Sequence, residues 1–264
     1  MKCPAAVLVA LVAGSVSAWG GLDGARMSGA ERLEVVTVPT PAEFFAAINK
    51  AGKPDWAAFY RDPVPTTYPT RPQAALNLGA LVADGFVAVE AQDGQQVKNT
   101  GKDIIALARA LGVGEEVLGR GKSIGDFADK GDWFALREEL EATTNEVRQA
   151  MAAQRDEALS SLITAGAWLR ALQVGSRAVA LSREEQCAEL LRQSALVAFL
   201  RAELQRLPEK ARTGPVVSEA DAVLADIGAQ MDAPADAAFG IERAAGINAR
   251  AAGFISGMSA KKQP

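Results

Sequence analysis

The longest helical pattern in the chain spans residues 132–181, and it constrains the fold more than any other feature. Neither Gly nor Pro occurs in it before Gly166, and Asp132 is expected as its N-cap. Its apolar residues recur at spacings that place them on one helix face. The buried stripe that we predict consists of Leu136, Leu140, Val147, Met151, Ala158 and Leu162. A pattern this long favours the central helix of a bundle, although 133–181 could also form two helices.

Signals for further helices fill most of the remaining chain. Thr40, Pro41 and Glu43 form a capping box with Pro at the first helical position, and Gly52 is the expected end of that helix. The other predicted helices span 55–61, 72–91, 95–111, 182–207, 218–231 and 235–258, with a glycine-rich connector at 112–125. Residues 32–38 are β-prone but have no second strand to pair with. We therefore predict an all-α, antiparallel helical bundle with one long central helix and an extended N-terminal arm.

The distribution of Pro and Gly indicates how the chain is divided. Four prolines in residues 62–72 mark a connector. The predicted segments are a signal peptide at 1–18, an N-terminal arm with two short helices and the Pro-rich connector at 19–71, the bundle at 72–258 and a tail at 259–264. Gly246, Gly253 and Gly257 in the last helix indicate either the close approach of another helix or local disorder.

The first residues have the features of an export signal. Met1 and Lys2 precede an apolar run at 5–13, and small residues then lead to a predicted cleavage site after Ala18. This run is too short to cross a bilayer comfortably. Cleavage would remove Cys3, so Cys187 is expected to be a buried, inert side chain. The predicted location is periplasmic or secreted.

Charged residues argue against a membrane-spanning segment and against a nucleic-acid partner. The apolar segments 74–91 and 159–181 are interrupted by Asp84 and by Arg170, so neither is expected to span a membrane after signal cleavage. The chain carries a net charge of -4, which argues against a nucleic-acid partner.

The complete absence of His excludes several kinds of chemistry. Residues 121–125 spell G-x-S-x-G, yet a Ser-His-Asp triad cannot form without a His base. The same segment resembles the end of a phosphate-binding loop, but Glu116 occupies the position of its first glycine. A helical di-metal centre normally includes His ligands. We therefore predict no catalytic residue, no metal ligand and no cofactor from these motifs.

Carboxylates are the remaining candidates for a functional site. Glu138, Glu141 and Asn145 are three and four residues apart, so they share one helix face. Asp84 interrupts an apolar helix, where an ionised carboxylate needs a cation or a hydrogen-bond donor. These four residues form a candidate ligand-binding site. The alternative is that the helix face is merely solvated, and that Asp84 pairs with a basic residue from another helix: Lys98, Arg120 or Lys122.

These features support two hypotheses about function. The first is an exported, soluble helical protein of the cell envelope with a non-catalytic binding or structural role, whose partner is an unidentified protein or small molecule. The second is a carboxylate-based or metal-assisted enzyme centred on Asp84, Glu138 and Glu141. The second hypothesis requires those three carboxylates to converge on one open cavity.

Overall fold

A computed structural model describes residues 39–182, 185–232 and 239–260. Within these ranges the chain is helical and contains no strand, which confirms the predicted all-α helical bundle. The predicted signal peptide, its cleavage site and the extended segment 32–38 lie outside the described residues.

The helices are numbered in chain order. They are α1 (Pro41–Gly52), α2 (Arg71–Glu90), α3 (Gly94–Ala110), α4 (Gly114–Lys130), α5 (Trp133–Ala153), α6 (Glu157–Ser182), α7 (Glu185–Ala188), α8 (Ser194–Gln205), α9 (Glu209–Arg212), α10 (Pro215–Met231) and α11 (Ile241–Ser259). Short 3-10 turns occur at Trp56–Phe59 and Glu189–Leu191. Helix α6 packs against α1, α2, α5, α8 and α11 and is the centre of the bundle.

Helices α2 and α6 cross with their backbones in contact. A Cβ added at Gly79 would overlap the carbonyl oxygen of Ile163 and lie 2.7 Å from the backbone nitrogen of Ala167. A Cβ added at Gly166 would likewise overlap the carbonyl oxygen of Leu76. Only glycine lacks the Cβ that would separate the two helices. The crossing therefore depends on both glycines.

The glycines of the last helix do not have this role. A Cβ at Gly253 or Gly257 would meet nothing within 4 Å, and one at Gly246 would meet only the flexible side chain of Gln230. All three lie within the regular helix α11. The predicted close approach of another helix is therefore wrong at Gly253 and Gly257.

The long helical pattern is divided into two helices by a turn at residues 154–156. Arg155 adopts a left-handed conformation with φ of 58°, and the amide of Asp156 donates to the carbonyl of Met151 at 2.9 Å. This is the geometry of a Schellman motif, in which the left-handed position is usually glycine. Of the two alternatives left open for residues 133–181, the structure has two helices, and α6 is the long central helix.

The predicted capping box at the start of α1 is confirmed. The Glu43 amide donates to Thr40 Oγ1 at 3.2 Å, and the Thr40 amide donates to Glu43 Oε2 at 2.7 Å. Phe45 of α1 and Trp56 of the following turn are buried in the same core as the helices of the bundle. The Pro-rich connector therefore links segments that share one core.

Three local predictions are wrong. The glycine-rich connector at 112–125 lies largely within α4, so its Gly-Lys-Ser motif has a helical context. The single helix expected at 182–207 is replaced by α7, a 3-10 turn and α8, with residues 183–184 outside the described chain. Ser259, expected in a tail, ends α11 and donates from Oγ to Asn77 Oδ1 at 2.8 Å.

Cys187 is buried, as predicted. The expectation of an inert thiol refers to the chain after signal cleavage and stays a prediction. The other cysteine of the sequence, Cys3, lies outside the described residues.

Helix α2 is long and apolar enough to cross a membrane by length and composition alone. Its most apolar window, however, is 83% buried by the rest of the protein. This burial is typical of a core helix in a helical bundle.

Replacing Gly79 by Ala should destabilise the protein by about 3 kcal/mol, because overpacking at a backbone contact forces the helices apart. The matched control is Gly253→Ala, which should stabilise the protein by about 0.5–1 kcal/mol because Ala favours an open helix position. Urea denaturation of both variants measures these changes. Equal stabilities would contradict the close crossing.

Candidate functional site

A cavity of about 470 Å³ is lined by residues of α5 and α6 and of three further segments. Its volume is within the range of small-molecule sites, roughly 300–1,000 Å³. Five segments contribute to it: residues 39–41 at the start of α1, and parts of α2, α5, α6 and α8. We call it the α5–α6 cavity.

One side of the α5–α6 cavity is apolar. This apolar floor consists of Val82, Phe86, Ile163, Ala167, Trp168 and Leu200. All six residues are buried. Phe199 stands at the cavity as well and is 36% exposed. Ile163 and Ala167 are also the residues that meet Gly79, so the helix crossing fixes part of the floor.

The other side is polar and is formed by one face of each of two consecutive helices. On α5 the polar face consists of Glu141, Thr144, Asn145 and Arg148; on α6 it consists of Glu157, Ser160, Ser161 and Thr164. Each set repeats at three- or four-residue spacing, which places its members on one helix face. Glu203 of α8 completes this polar wall.

Glu141 is a partly buried acidic residue of the wall. Its Oε1 accepts a hydrogen bond from Thr40 Oγ1 at 3.1 Å. Burial raises the pKa of Glu141, and the nearby charges of Glu138 and Glu43 raise it further. The Thr40 hydrogen bond and the charge of Arg137 lower the pKa in part. Glu141 is thus a partly desolvated carboxylate beside a cavity.

The other charged groups of the wall differ in the hydrogen bonds and ion pairs that they make. Glu203 accepts from Ser161 Oγ at 3.0 Å and pairs with Arg206. Within the described chain, Glu157 and Arg148 make neither an ion pair nor a side-chain hydrogen bond. Three carboxylates therefore line the cavity against a single guanidinium group.

The structure brings together two of the four predicted site residues. Glu141 and Asn145 both line the α5–α6 cavity. Glu138 lies one turn earlier on α5, is exposed and does not line the cavity. Asp84 lies on α2 between Val82 and Phe86 but is not among the cavity residues. The four residues therefore do not form one site.

Asp84 instead holds two arginines within the bundle. Its Oδ1 accepts from Arg170 Nε at 2.7 Å, and its Oδ2 accepts from Arg61 Nε at 2.9 Å. Arg170 is 2% exposed and also donates to the Phe59 carbonyl at 2.6 Å. Burial lowers the pKa of Arg170, and the charge of Asp84 partly offsets that effect.

The prediction that Asp84 pairs with a basic residue from another element is correct, but the three proposed partners are wrong. Lys98 pairs with Asp129, and Arg120 pairs with Glu139 and Glu146. Lys122 is exposed. The actual partners are Arg61, from the segment before α2, and Arg170 of α6. Residue spacing along one helix does not indicate contacts between separate segments.

The Asp84 cluster also holds the end of the last helix. Arg61 donates to Ser259 Oγ at 3.2 Å, and Asn77 Nδ2 donates to the Met258 carbonyl at 3.1 Å. Gln73 donates to the same carbonyl at 2.8 Å. The two bonds to Met258 satisfy one of the carbonyl groups that a helix leaves without an internal partner at its C-terminus. Asp84 is therefore a structural residue.

No group of three or more metal-ligating side chains occurs in the described part of the chain. The arrangement at the α5–α6 cavity can bind and orient a small molecule by apolar contact, hydrogen bonds and charge. The contributions of Arg148, Glu157, Ser160, Thr164 and Glu203 were not predicted. Their spacing on the helices was visible in the sequence, but a polar face is normally a solvated one.

The chain matches no protein-family model, no curated protein and no solved structure. The fold and the cavity define it as an all-α bundle whose cavity has an apolar floor and an acidic wall.

Replacing Asp84 by Asn should destabilise the protein by about 3 kcal/mol, because it leaves the buried Arg170 without a counter-charge. The control is Asp129→Asn, which breaks the more exposed pair with Lys98 and should cost at most about 1 kcal/mol. Chemical denaturation of both variants measures the difference. An Asp84 variant no less stable than the control would rule out the proposed role of the cluster.

The raised pKa of Glu141 predicts a specific pH dependence. The folded state holds the proton of this carboxyl more tightly than the unfolded state, so its contribution to stability falls as pH rises above the ordinary value of 4.5. The Glu141→Gln variant cannot ionise and should gain stability relative to the wild type over that window. Melting temperatures measured from pH 4 to 8 test this, with the exposed Glu138→Gln as the control for loss of one charge. Parallel curves for wild type and Glu141→Gln would contradict the prediction.

Proposed function

We propose that this chain is an exported, non-catalytic binding protein of the cell envelope that takes up a small molecule in the α5–α6 cavity. The observation that carries the proposal is the combination of a buried apolar floor with a wall of polar groups in a cavity of about 470 Å³. Small-molecule sites in proteins usually combine a mostly apolar lining with a few polar groups that orient the ligand. A purely structural role would not require such a cavity.

The export part of the proposal comes from the sequence alone. The positive start, the apolar run at 5–13 and the small residues before Trp19 together resemble a cleaved signal. The proposed location outside the cytoplasm also fits a protein that binds small molecules from its surroundings.

The enzyme hypothesis has less support than the binding hypothesis. It needs Asp84, Glu138 and Glu141 in one open cavity, whereas only Glu141 lines the α5–α6 cavity. Asp84 is engaged by Arg61 and Arg170. A metal-assisted version predicts that EDTA or added Ca²⁺ would shift the melting temperature, and the binding proposal predicts superimposable melts.

The binding proposal is tested with the neutral probe 2-naphthalenemethanol, whose ring system is small enough for the α5–α6 cavity. Calorimetric titration should give a Kd of about 1 mM or tighter. Thr164→Phe should weaken binding about tenfold, because the larger side chain occupies the cavity. The matched control Gln149→Phe adds the same ring at an exposed position of α5 and should bind normally. No binding at about 1 mM, or equal binding by both variants, would overturn the proposal.

The export proposal is tested by sequencing the N-terminus of the protein purified from cells that express the full chain. The expected first residue is Trp19, and the protein should fractionate with the envelope or the medium. Val9→Arg places a charge in the apolar run and should leave the chain uncleaved in the cytoplasm. A wild-type chain that keeps Met1 and Lys2 in the cytoplasm would contradict export.

A further inference from the structure

We infer that the ligand of the α5–α6 cavity is an organic cation with an apolar body, such as an aromatic or alkyl ammonium compound. This inference rests on the proposed function and specifies its ligand class. Two features of the cavity support it independently: the charge of its wall and the aromatic character of its floor.

The charge of the wall favours a positively charged ligand. Three glutamates, Glu141, Glu157 and Glu203, line the cavity with one arginine, Arg148, and Glu203 also pairs with Arg206 outside the lining. Arg148 and Glu157 are exposed, whereas Glu141 and Glu203 are partly buried. A cavity with low-dielectric walls strengthens the field of such groups and raises the local concentration of a ligand of opposite charge.

The hydrogen bonds within the wall leave acceptor capacity for a ligand. Thr40 Oγ1 donates to one oxygen of Glu141, and no other donor reaches this carboxylate within the described chain. Glu157 accepts no side-chain hydrogen bond from the described residues. An ionised carboxylate accepts several hydrogen bonds, and an ammonium group supplies up to three donors. A bound ammonium group would therefore supply a donor that these carboxylates lack within the described chain.

The floor supplies the complementary contact for the body of the ligand. Phe86 and Trp168 lie in the floor, and Phe199 lies at the exposed side. Aromatic rings bury apolar groups and also attract cations through their faces. An inorganic cation would leave this apolar surface without a contact, so the cavity fits an organic cation better than a metal ion.

The test compares three probes that share one ring system: 2-naphthylmethylammonium, 2-naphthalenemethanol and 2-naphthoate. Calorimetric titrations at pH 7 and low ionic strength should give affinities in that order, with the ammonium compound at least about tenfold tighter than the carboxylate. Added salt should reduce the preference, because it screens the charges of the wall.

Two variants of α5 locate the source of the preference. Glu141→Gln preserves the shape of the side chain, and it should reduce the ratio of the ammonium probe's affinity to the alcohol's affinity about fivefold or more. Glu138→Gln removes the same charge one turn away, outside the cavity, and should change the preference little. Melting curves of both variants establish that they are folded.

The outcomes separate this inference from the proposed function. If the alcohol binds in the cavity but the carboxylate binds as tightly as the ammonium compound, the inference is wrong and the binding function stands. If Glu138→Gln reduces the preference as much as Glu141→Gln, the cavity wall does not select the cation and the inference is also wrong. If none of the probes binds at about 1 mM, the binding function fails and the inference fails with it.

Discussion

The contact between the backbones of α2 and α6 is the constraint on which the rest of the bundle depends. Gly79 and Gly166 each lie against backbone atoms of the other helix, where a methyl group would not fit. This approach makes α6 the axis around which α1, α5, α8 and α11 pack. Close packing also brings Arg170 of α6 within hydrogen-bonding distance of Asp84 on α2. The buried ion pair and the helix crossing therefore support each other.

The same crossing sets the position of the cavity. Ile163 and Ala167 meet Gly79 on one side and line the α5–α6 cavity on the other. The turn at Arg155 then directs α5 away from the line of α6, and the two helices present their polar faces to the cavity between them. A single continuous helix through 133–181 would place these polar faces end to end and could not form this cavity. The break in the long pattern is thus a condition for the site.

Local signals in the sequence predicted the helices well where a specific hydrogen bond determines the end. Thr40 and Glu43 form the capping box, and Asp132 accepts from the Ala135 amide at 3.1 Å. The signals did not indicate the helix end at Arg155. This residue, with φ of 58°, ends a helix without the glycine that normally indicates such an end.

The candidate site was predictable only in part, for a different reason. The spacing on α5 identified Glu141 and Asn145, yet Glu138 satisfies the same spacing and lies outside the cavity. Whether a polar helix face meets water or a cavity depends on the neighbouring helices, and one sequence does not contain that information. A close helix contact was likewise one of two alternatives for the glycines of the last helix, because glycines at helical spacing identify an open face but not the partner that occupies it.

A crystal structure of the protein with 2-naphthylmethylammonium bound is the most direct test that the crossing of α2 and α6 forms the floor of a binding cavity. The account predicts that the Ile163 carbonyl lies in contact with Gly79, and that the ring rests on Phe86 and Trp168 with the ammonium group at Glu141. Helices α2 and α6 separated by a layer of side chains, or a probe bound elsewhere on the protein, would contradict it.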